Sequence, residues 1–233
     1  MKGNTRFVII GAFALVCLSA EAGRSETFLD LYLGVARVED ATVSVTHQHL
    51  TILGPGQRFE ADRRVSFDSA PVFGLRLGHW FESAPSFGVA LDVSYFKANG
   101  DGVDLDVVPL TGLLMLRFPL GASQAFPRGR LQPYGAVGLA LVTASMSVDF
   151  RPEVPEKVRG GGSGMGVDLR AGLAWHMSRR LAAFGAYRYL QADLKADGES
   201  EGFWLVVAGS AEREEVKVDL QTHQLLAGLS VRF

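Results

Sequence analysis

The sequence predicts an all-β fold: an eight-stranded antiparallel up-and-down transmembrane β-barrel. Three observations lead to this prediction. Apolar residues recur at every second position in segments of about ten residues, which is the period of a strand and not of a helix. The positions between them hold mostly Gly, Ala and Ser, with scattered Asp and Arg. The last segment places Leu229, Val231 and the aromatic Phe233 on one apolar face.

The first element is expected to be a secretory signal peptide at residues 1–22, which leaves residues 23–233 as the barrel. Lys2 and Arg6 supply a positive region, and an apolar run too short to span a bilayer follows them. Small residues at Ala20 and Ala22 fit the cleavage pattern. A buried N-terminal helix is the alternative, and it is less favoured because turn residues and strand patterns follow at once.

The single cysteine, Cys17, lies inside this segment, so the expected barrel has no disulfide. A lipid-attachment role for Cys17 is rejected, because the preceding Val16 is not the small residue that such processing requires. The formal net charge of −2 gives no indication of nucleic-acid binding.

Eight alternating segments follow along the chain. The clearest lies at residues 86–97, where large apolar residues alternate with Gly88, Ala90, Asp92 and Ser94. The eight segments lie near residues 27–38, 70–82, 86–97, 106–118, 130–148, 164–176 and 181–192, and from Val216 to Phe233.

The connections between these segments differ in length. The predicted short turns are residues 82–86 and 177–180, with a somewhat longer one at 119–129; the predicted long loops are 39–69, 98–105, 149–163 and 193–215. Short turns on one side and long loops on the other are typical of outer-membrane barrels, whose short turns are periplasmic. An even number of strands then places both termini on the periplasmic side.

Alternation alone would also fit a soluble barrel with an apolar interior. A water-facing surface is normally rich in charged residues, whereas the polar face here is mostly small, as suits the narrow lumen of eight strands. The alternating apolar face therefore indicates contact with lipid. The aromatics near segment ends fit interfacial girdles, with the core of a β-sandwich as the alternative. The expected interfacial aromatics are Trp80, Tyr95, Phe118, Trp175, Tyr187 and Tyr189.

Charged residues on the polar face are expected to point into the lumen. They are Asp30, Arg76, Asp92, Arg117, Asp168, Arg170, Arg188 and Arg232. Because unpaired buried charges are costly, Asp–Arg pairs should cross the barrel and plug it. A narrow gated channel built from the same residues is the alternative.

Three stretches, residues 132–139, 186–190 and 223–233, resemble the small eight-stranded outer-membrane β-barrels of Gram-negative bacteria, the OmpA-like and OmpX-like barrels. The resemblance implies location in the cell outer membrane, with lipid and lipopolysaccharide as partners. It also implies that the barrel-assembly machinery reads Leu229, Val231 and Phe233 as a signal. No peptidoglycan-binding domain follows Phe233, so a tethering role is not expected.

Some barrels of this size are lipid A deacylases with a His-x-Ser pair on a strand and a nearby Glu. His176 and Ser178 form one such pair, but it lies at a predicted periplasmic turn, and the next Glu is Glu199. Because lipid A occupies the outer leaflet and catalysis needs nucleophile, base and orienting group together, this hypothesis is the least favoured.

No catalytic, cofactor-binding or metal-binding residue is expected. His47 and His49 are too few for a metal site, and the acidic stretch 99–106 lacks calcium-loop spacing. The glycine-rich stretch 160–166 lacks the Gly-Lys-Ser/Thr ending of a phosphate loop and is interpreted as a flexible hairpin end.

The favoured function is a structural or surface-interaction role for a monomer whose loops 39–69 and 193–215 meet an external ligand. A narrow channel or transporter for small or hydrophobic solutes is the second hypothesis, and a lipid A-modifying enzyme the third.

Overall fold

A computed structural model describes residues 26–39, 41–51, 54–100, 103–149, 157–198 and 213–233. The proposed signal peptide and Cys17 lie outside the described residues. The strands are β1 Glu26–Val38, β2 Ala41–Thr51, β3 Gly54–Val65, β4 Ala70–Trp80, β5 Phe87–Gly100, β6 Val103–Arg117, β7 Leu131–Asp149, β8 Lys157–His176, β9 Leu181–Gly198 and β10 Arg213–Arg232. Within the described residues, no helix is long and apolar enough to cross a membrane.

Eight of these strands close into one antiparallel barrel, which confirms the predicted fold class. Its strand order is β1-β4-β5-β6-β7-β8-β9-β10, and β1 pairs with β10 to close the ring. The closing pair runs from Phe28 opposite Arg232 to Val38 opposite Thr222. The first and last strands are therefore neighbours, and Glu26 and Phe233 lie at the same end of the barrel.

The predicted loop 39–69 contains the hairpin of β2 and β3. Val43 pairs with Val218 and Gln48 with Arg213. β2 therefore pairs with the first residues of β10, beyond the point where β1 ends. β3 pairs with β2 from Val65 to Gly54. His47 and His49 both lie in β2, so their backbone is outside the eight barrel strands. The structure does not describe their side chains.

The two ends of the barrel differ. The short-turn end holds the turns between β4 and β5, β6 and β7, and β8 and β9, together with both ends of the described chain. The long-loop end holds the β2–β3 hairpin and the other three connections. β8 and β10 have 20 residues each, about twice the 9–11 that a tilted strand needs to cross a bilayer.

Only part of the outward-facing surface of the barrel is apolar, and we call that part the apolar band. It runs from Leu29 to Val35, Phe73 to Leu77, Phe87 to Tyr95, Val108 to Phe118, Leu131 to Leu141, Met165 to Trp175, Leu181 to Tyr189 and Leu225 to Phe233. In β8 this segment covers roughly 33 Å of strand at about 3.3 Å per residue, or about 25 Å along the barrel axis at a tilt near 40°. That height matches the apolar belt of outer-membrane barrels.

The strands continue beyond the apolar band at the long-loop end, and we call that part the extension. Its first outward-facing residues are Arg37, Lys97, Asp106, Thr143, Ser163, Gln191 and His223. The glycine-rich stretch 160–166, expected as a hairpin end, belongs to β8 and pairs with both neighbours. A Cβ at Gly164 would lie 1.8 Å from the carbonyl oxygen of Asp193, so glycine here permits close strand approach.

Candidate functional site

The interior of the barrel holds the candidate site. In the half of the apolar band nearer the long-loop end, Asp92, Asp168, Arg170 and Arg188 form the mid-barrel network. Arg170 crosses the lumen from β8 to β5: its Nη1 and Nη2 donate to the two carboxylate oxygens of Asp92, each at 2.8 Å. Its Nε donates to Asp168 at 2.9 Å. This two-pronged geometry is the strongest form of a guanidinium–carboxylate contact.

The second arginine of the network completes its charge balance. Arg188 Nε donates to Asp168 at 2.9 Å, and Nη1 donates to Ser94 Oγ at 2.8 Å. Arg170 and Arg188 are directly opposite each other on β8 and β9, so the two cations would repel each other without the aspartates. With two arginines and two aspartates, all buried, the network is formally neutral.

Neutral polar groups occupy the remaining hydrogen-bonding positions of the mid-barrel network. Tyr32 donates its hydroxyl to Asp92 at 3.0 Å, and Thr111 donates to Asp168 at 3.1 Å. Tyr32 passes over Gly74, where a Cβ would lie 2.4 Å from the tyrosine hydroxyl. The glycine is therefore required for this hydrogen bond, which the sequence analysis did not identify.

A second charged layer, the short-turn cluster, consists of Glu26, Asp30, Arg76, Arg117 and Arg232. Arg76 donates to Asp30 through Nε at 2.7 Å and Nη2 at 2.5 Å. Arg117 Nη1 donates to Glu26 at 2.7 Å, and Arg232 Nη1 also donates to this carboxylate. A third guanidinium, from the half-exposed Arg128, contacts Glu26 at 2.8 Å.

The structure places all eight predicted lumen charges in the barrel interior, and it adds Glu26. Each of the nine is less than a tenth exposed. Glu26 lies two residues before Phe28 and four before Asp30, so it shares their inward face. Continuing the alternation of β1 back to its first residue would have found Glu26, the partner of Arg117 and Arg232.

Trp80 is not an interfacial aromatic, because it lies inside the barrel. Its ring is stacked on Phe28 at 5.8 Å, and the guanidinium of Arg117 lies 4.3 Å from its centre. In β4, Trp80 has the same parity as Arg76 and Gly78, so it faces inward with them. The other five predicted aromatics, Tyr95, Phe118, Trp175, Tyr187 and Tyr189, have the outward parity of the apolar band.

Inside the extension the lumen is apolar. Among the described residues, its inward positions carry no charged side chain. The buried residues at its boundary with the apolar band are Phe96, Val107, Val142 and Leu190, and those further out are Val38, Ala98, Val103, Leu105, Ala144, Leu194 and Leu220. Most of them belong to the same hydrophobic cluster, so this end of the interior is a packed core.

A polar cluster lies on the outer surface at the start of the extension. His223 Nε2 is 2.8 Å from Glu39 Oε1, and Nδ1 of the same ring contacts the hydroxyl of Tyr187. Tyr189 packs its ring 5.2 Å from that of His223. Glu39 also donates its backbone N–H to the carbonyl oxygen of Gln221 at 2.9 Å. These contacts connect the first residue after β1 to β10.

The His-x-Ser pair does not form a catalytic arrangement. His176 is buried, and its Nε2 has no hydrogen-bond partner among the described residues. Ser178 Oγ accepts hydrogen bonds from the backbone N–H groups of Arg180 and Leu181 at 3.3 and 3.0 Å, which stabilises the turn. Glu199 lies outside the described residues. Across the part of the chain that the structure describes, no group of three or more His, Cys, Asp or Glu side chains could hold a metal ion.

Comparison with known proteins gives one family and several similar folds. The sequence profile of a family described as "Outer membrane protein beta-barrel domain" matches residues 10–233. The outer membrane protein OprG from Pseudomonas aeruginosa is 18% identical, with a TM-score of 0.55 over 91% of this chain and 98% of that one. The outer membrane protein AlkL is 14% identical, with a TM-score of 0.51 over 92% and 94%. No curated protein matches the sequence.

Proposed function

This chain belongs to the family of outer membrane protein β-barrel domains, and we propose that it is a closed barrel with a structural or surface-interaction role. In this proposal the lumen does not conduct, and the extension meets partners outside the cell. The barrel lies in the outer membrane of a Gram-negative bacterium.

The observation that carries the closed lumen is the Arg170–Asp92 pair, which crosses the interior between β8 and β5, three strands apart in the ring of eight. Arg188 and Asp168 occupy the same level and are fully buried. The apolar core of the extension adds a second barrier, because a hydrated ion would have to shed its water there. Two layers of different chemistry therefore favour a non-conducting barrel.

Planar-bilayer recording tests this proposal. The native chain should show no steady conductance. Replacing both Asp92 and Arg170 by Ala removes the crossing pair without changing the net charge. The lumen of this double variant should admit ions only if the extension also opens. Lys97→Ala, an exposed change in the extension, is the control. Sizeable steady conductance of the native chain would refute the closed lumen.

We propose that both termini are periplasmic and that the extension lies outside the cell, because short turns of such barrels are periplasmic. Cys17 is the only cysteine of the chain, so a substituted cysteine gives a single site once the signal peptide is removed. A membrane-impermeant maleimide on intact cells should label Asn99→Cys in the extension and not Ser123→Cys at the short-turn end. The reverse pattern would invert the orientation.

The β2–β3 hairpin supports the surface-interaction role. Among the described residues, β3 pairs only with β2 from Gly54 to Val65, and an unpaired strand edge is a template for a partner. Replacing 41–65 by a short Gly-Ser linker should abolish attachment of cells to a surface or cell type that the native strain binds. A scrambled 41–65 sequence with unchanged turns is the matched control. Unchanged attachment after the deletion counts against this role.

Lipid, lipopolysaccharide and the assembly machinery are the partners proposed within the membrane. Leu229, Val231 and Phe233 face outward at the short-turn end, and Phe233 is the most exposed of the large apolar side chains that the structure describes. Phe233→Ala should lower the fraction of folded barrel in outer-membrane fractions, measured by heat-modifiable migration. Phe118→Ala, which removes another outward aromatic near the same end, should leave that fraction close to the native value if the terminal residue is the signal.

Passage of small hydrophobic solutes is the second candidate, favoured by the apolar interior of the extension. An apolar groove of about 610 Å³ also lies on the outer surface, lined by Leu31, Phe73 and Leu229 among others. Uptake of a hydrophobic fluorescent dye into vesicles containing the protein distinguishes the two functions. A rate equal to that of protein-free vesicles supports the closed barrel.

A further inference from the structure

The two charged layers of the lumen differ in formal charge. The mid-barrel network contains two buried arginines and two buried aspartates. The short-turn cluster contains three buried arginines, Arg76, Arg117 and Arg232, but only two buried acids, Glu26 and Asp30. One positive charge in this layer is therefore uncompensated by a buried acid, and buried charge without a counter-charge is costly.

Hydrogen-bond donors without partners lie in the same layer. Trp80 Nε1, Arg232 Nε and Ser230 Oγ are buried and have no hydrogen-bond partner among the described residues. An unsatisfied buried donor costs about 1–3 kcal/mol, and more when it is charged. The mid-barrel network has no such orphaned donor among its described side chains.

These groups line one small cavity of about 10 Å³ in the lumen. Such a volume is about that of a single water-sized sphere. Trp80, Ser230 and Arg232 are among its lining residues, and so are Arg76 and Arg117. Asp30 Oδ1 also lines it without a partner, but the charge of this carboxylate is balanced by the two hydrogen bonds from Arg76 to Oδ2.

We propose that this cavity binds one monoatomic anion of the halide class, which is chloride at physiological salt. A halide accepts the indole, guanidinium and hydroxyl hydrogens together and supplies the missing negative charge. Chloride is larger than water, so the lining side chains must move apart slightly to admit it, and a polyatomic anion such as sulfate is too large. The inference does not depend on the proposed surface role, because the cavity lies within the barrel whatever the extension binds.

Anion-dependent stability of the full chain, folded in detergent micelles, tests the proposal. Heat-modifiable migration gives the unfolding midpoint in chloride and in gluconate, which is too large for the cavity, at constant ionic strength. A ligand that binds only the folded state raises this midpoint. We expect a saturable rise with chloride and none with gluconate.

Two conservative variants locate the effect. Trp80→Phe keeps an aromatic ring against Phe28 but removes the indole N–H, and Ser230→Ala removes only a hydroxyl. Each should weaken the apparent chloride affinity, by about tenfold for Trp80→Phe, given the value of a buried hydrogen bond to a charged group. Trp175→Phe, which alters an outward-facing ring of the apolar band, should leave the chloride dependence unchanged.

Diffraction from crystals grown in chloride provides the direct result. At a wavelength where chlorine scatters anomalously, a peak between Trp80, Ser230 and Arg232 supports the site. Density without an anomalous signal identifies a water molecule and overturns the proposal. Equal midpoints in chloride and gluconate for the native chain overturn it as well.

Discussion

The apolar band and the extension are made from the same strands with opposite chemistry. In the band, leucines face outward, as at Leu139, which is 66% exposed, and the buried side carries Asp and Arg. In the extension the outward positions are polar, as at Lys97 and Thr143, while Leu194 and Leu220 are buried. The change occurs within single strands without any break in pairing: β7 runs through it from Leu139 to Thr143.

This contrast shows that the solvent outside the wall determines which face is apolar. A strand always presents alternate residues to its two sides. Where the outer solvent is lipid, the chain puts apolar residues outward and lets buried charges satisfy one another inside. Where the outer solvent is water, the alternation is reversed: polar residues face outward and apolar residues form a core, as in a soluble barrel. The band and the extension are thus two barrels of opposite polarity in one continuous sheet.

The largest expected effect comes from breaking the polar interior of the band. Arg170→Leu leaves Asp92 without its two-pronged partner and leaves three charges, two of them negative, in the mid-barrel network. Removing one member of a buried ion pair costs about 3–5 kcal/mol. Urea unfolding from lipid vesicles, followed by tryptophan fluorescence, measures this loss.

Lys97→Leu is the matched control, because it removes a cation from the outer surface of the extension. Lys97 is exposed, and its 3.7 Å contact with Asp104 is half-exposed on both sides. Surface changes of this kind are usually within about 0.5 kcal/mol. If both variants lose the same stability, the interior charges of the band do not act as a buried network.

The band was predictable from the sequence because its alternation is regular. The inward parity of Arg76, Arg117 and Arg170 follows from their position between apolar neighbours. Their partners do not follow, because Arg170 reaches Asp92 across the lumen from a strand 78 residues away in the chain. Which charges meet depends on strand stagger and on the space left by glycines such as Gly74.

The extension was not predictable in the same way. Residues 39–69 contain Gly, Pro and charged residues, which indicate a loop, yet they form the β2–β3 hairpin through pairing with β10. Val103 and Leu105 alternate with acidic residues, and a search for outward-facing apolar residues assigns them to a loop. Trp80 lies inside the barrel although it is near a strand end, because parity and not distance from the end decides which face a strand residue occupies.

A charge on the outer wall gives the next largest effect and tests the boundary directly. Leu139 and Thr143 lie on the same face of β7, four residues apart, on the two sides of the boundary between the apolar band and the extension. An arginine near the bilayer midplane of a barrel costs about 2–4 kcal/mol, falling to about 0–1 kcal/mol near the interface. Leu139 lies between the middle of the apolar band and its edge, so unfolding in vesicles should show an intermediate loss for Leu139→Arg and little change for Thr143→Arg. Equal losses would place Thr143 within lipid and shift the boundary outward.

The smallest effect is expected at the boundary itself, where Glu39 and His223 connect β1 to β10. Their contact is exposed on both side chains, and exposed pairs contribute about 0.2–1 kcal/mol. A double-mutant cycle with Glu39→Gln and His223→Phe, run at mildly acidic pH where an exposed histidine carries a charge, measures this coupling, and added salt should reduce it because exposed charges are screened. His223 also contacts Tyr187, so a cycle of Glu39→Gln with Tyr187→Phe serves as the control for indirect coupling. A coupling between Glu39 and His223 that high salt leaves unchanged would mean that this contact lies within the low-dielectric membrane interface. The apolar band would then reach past His223 on this side of the barrel.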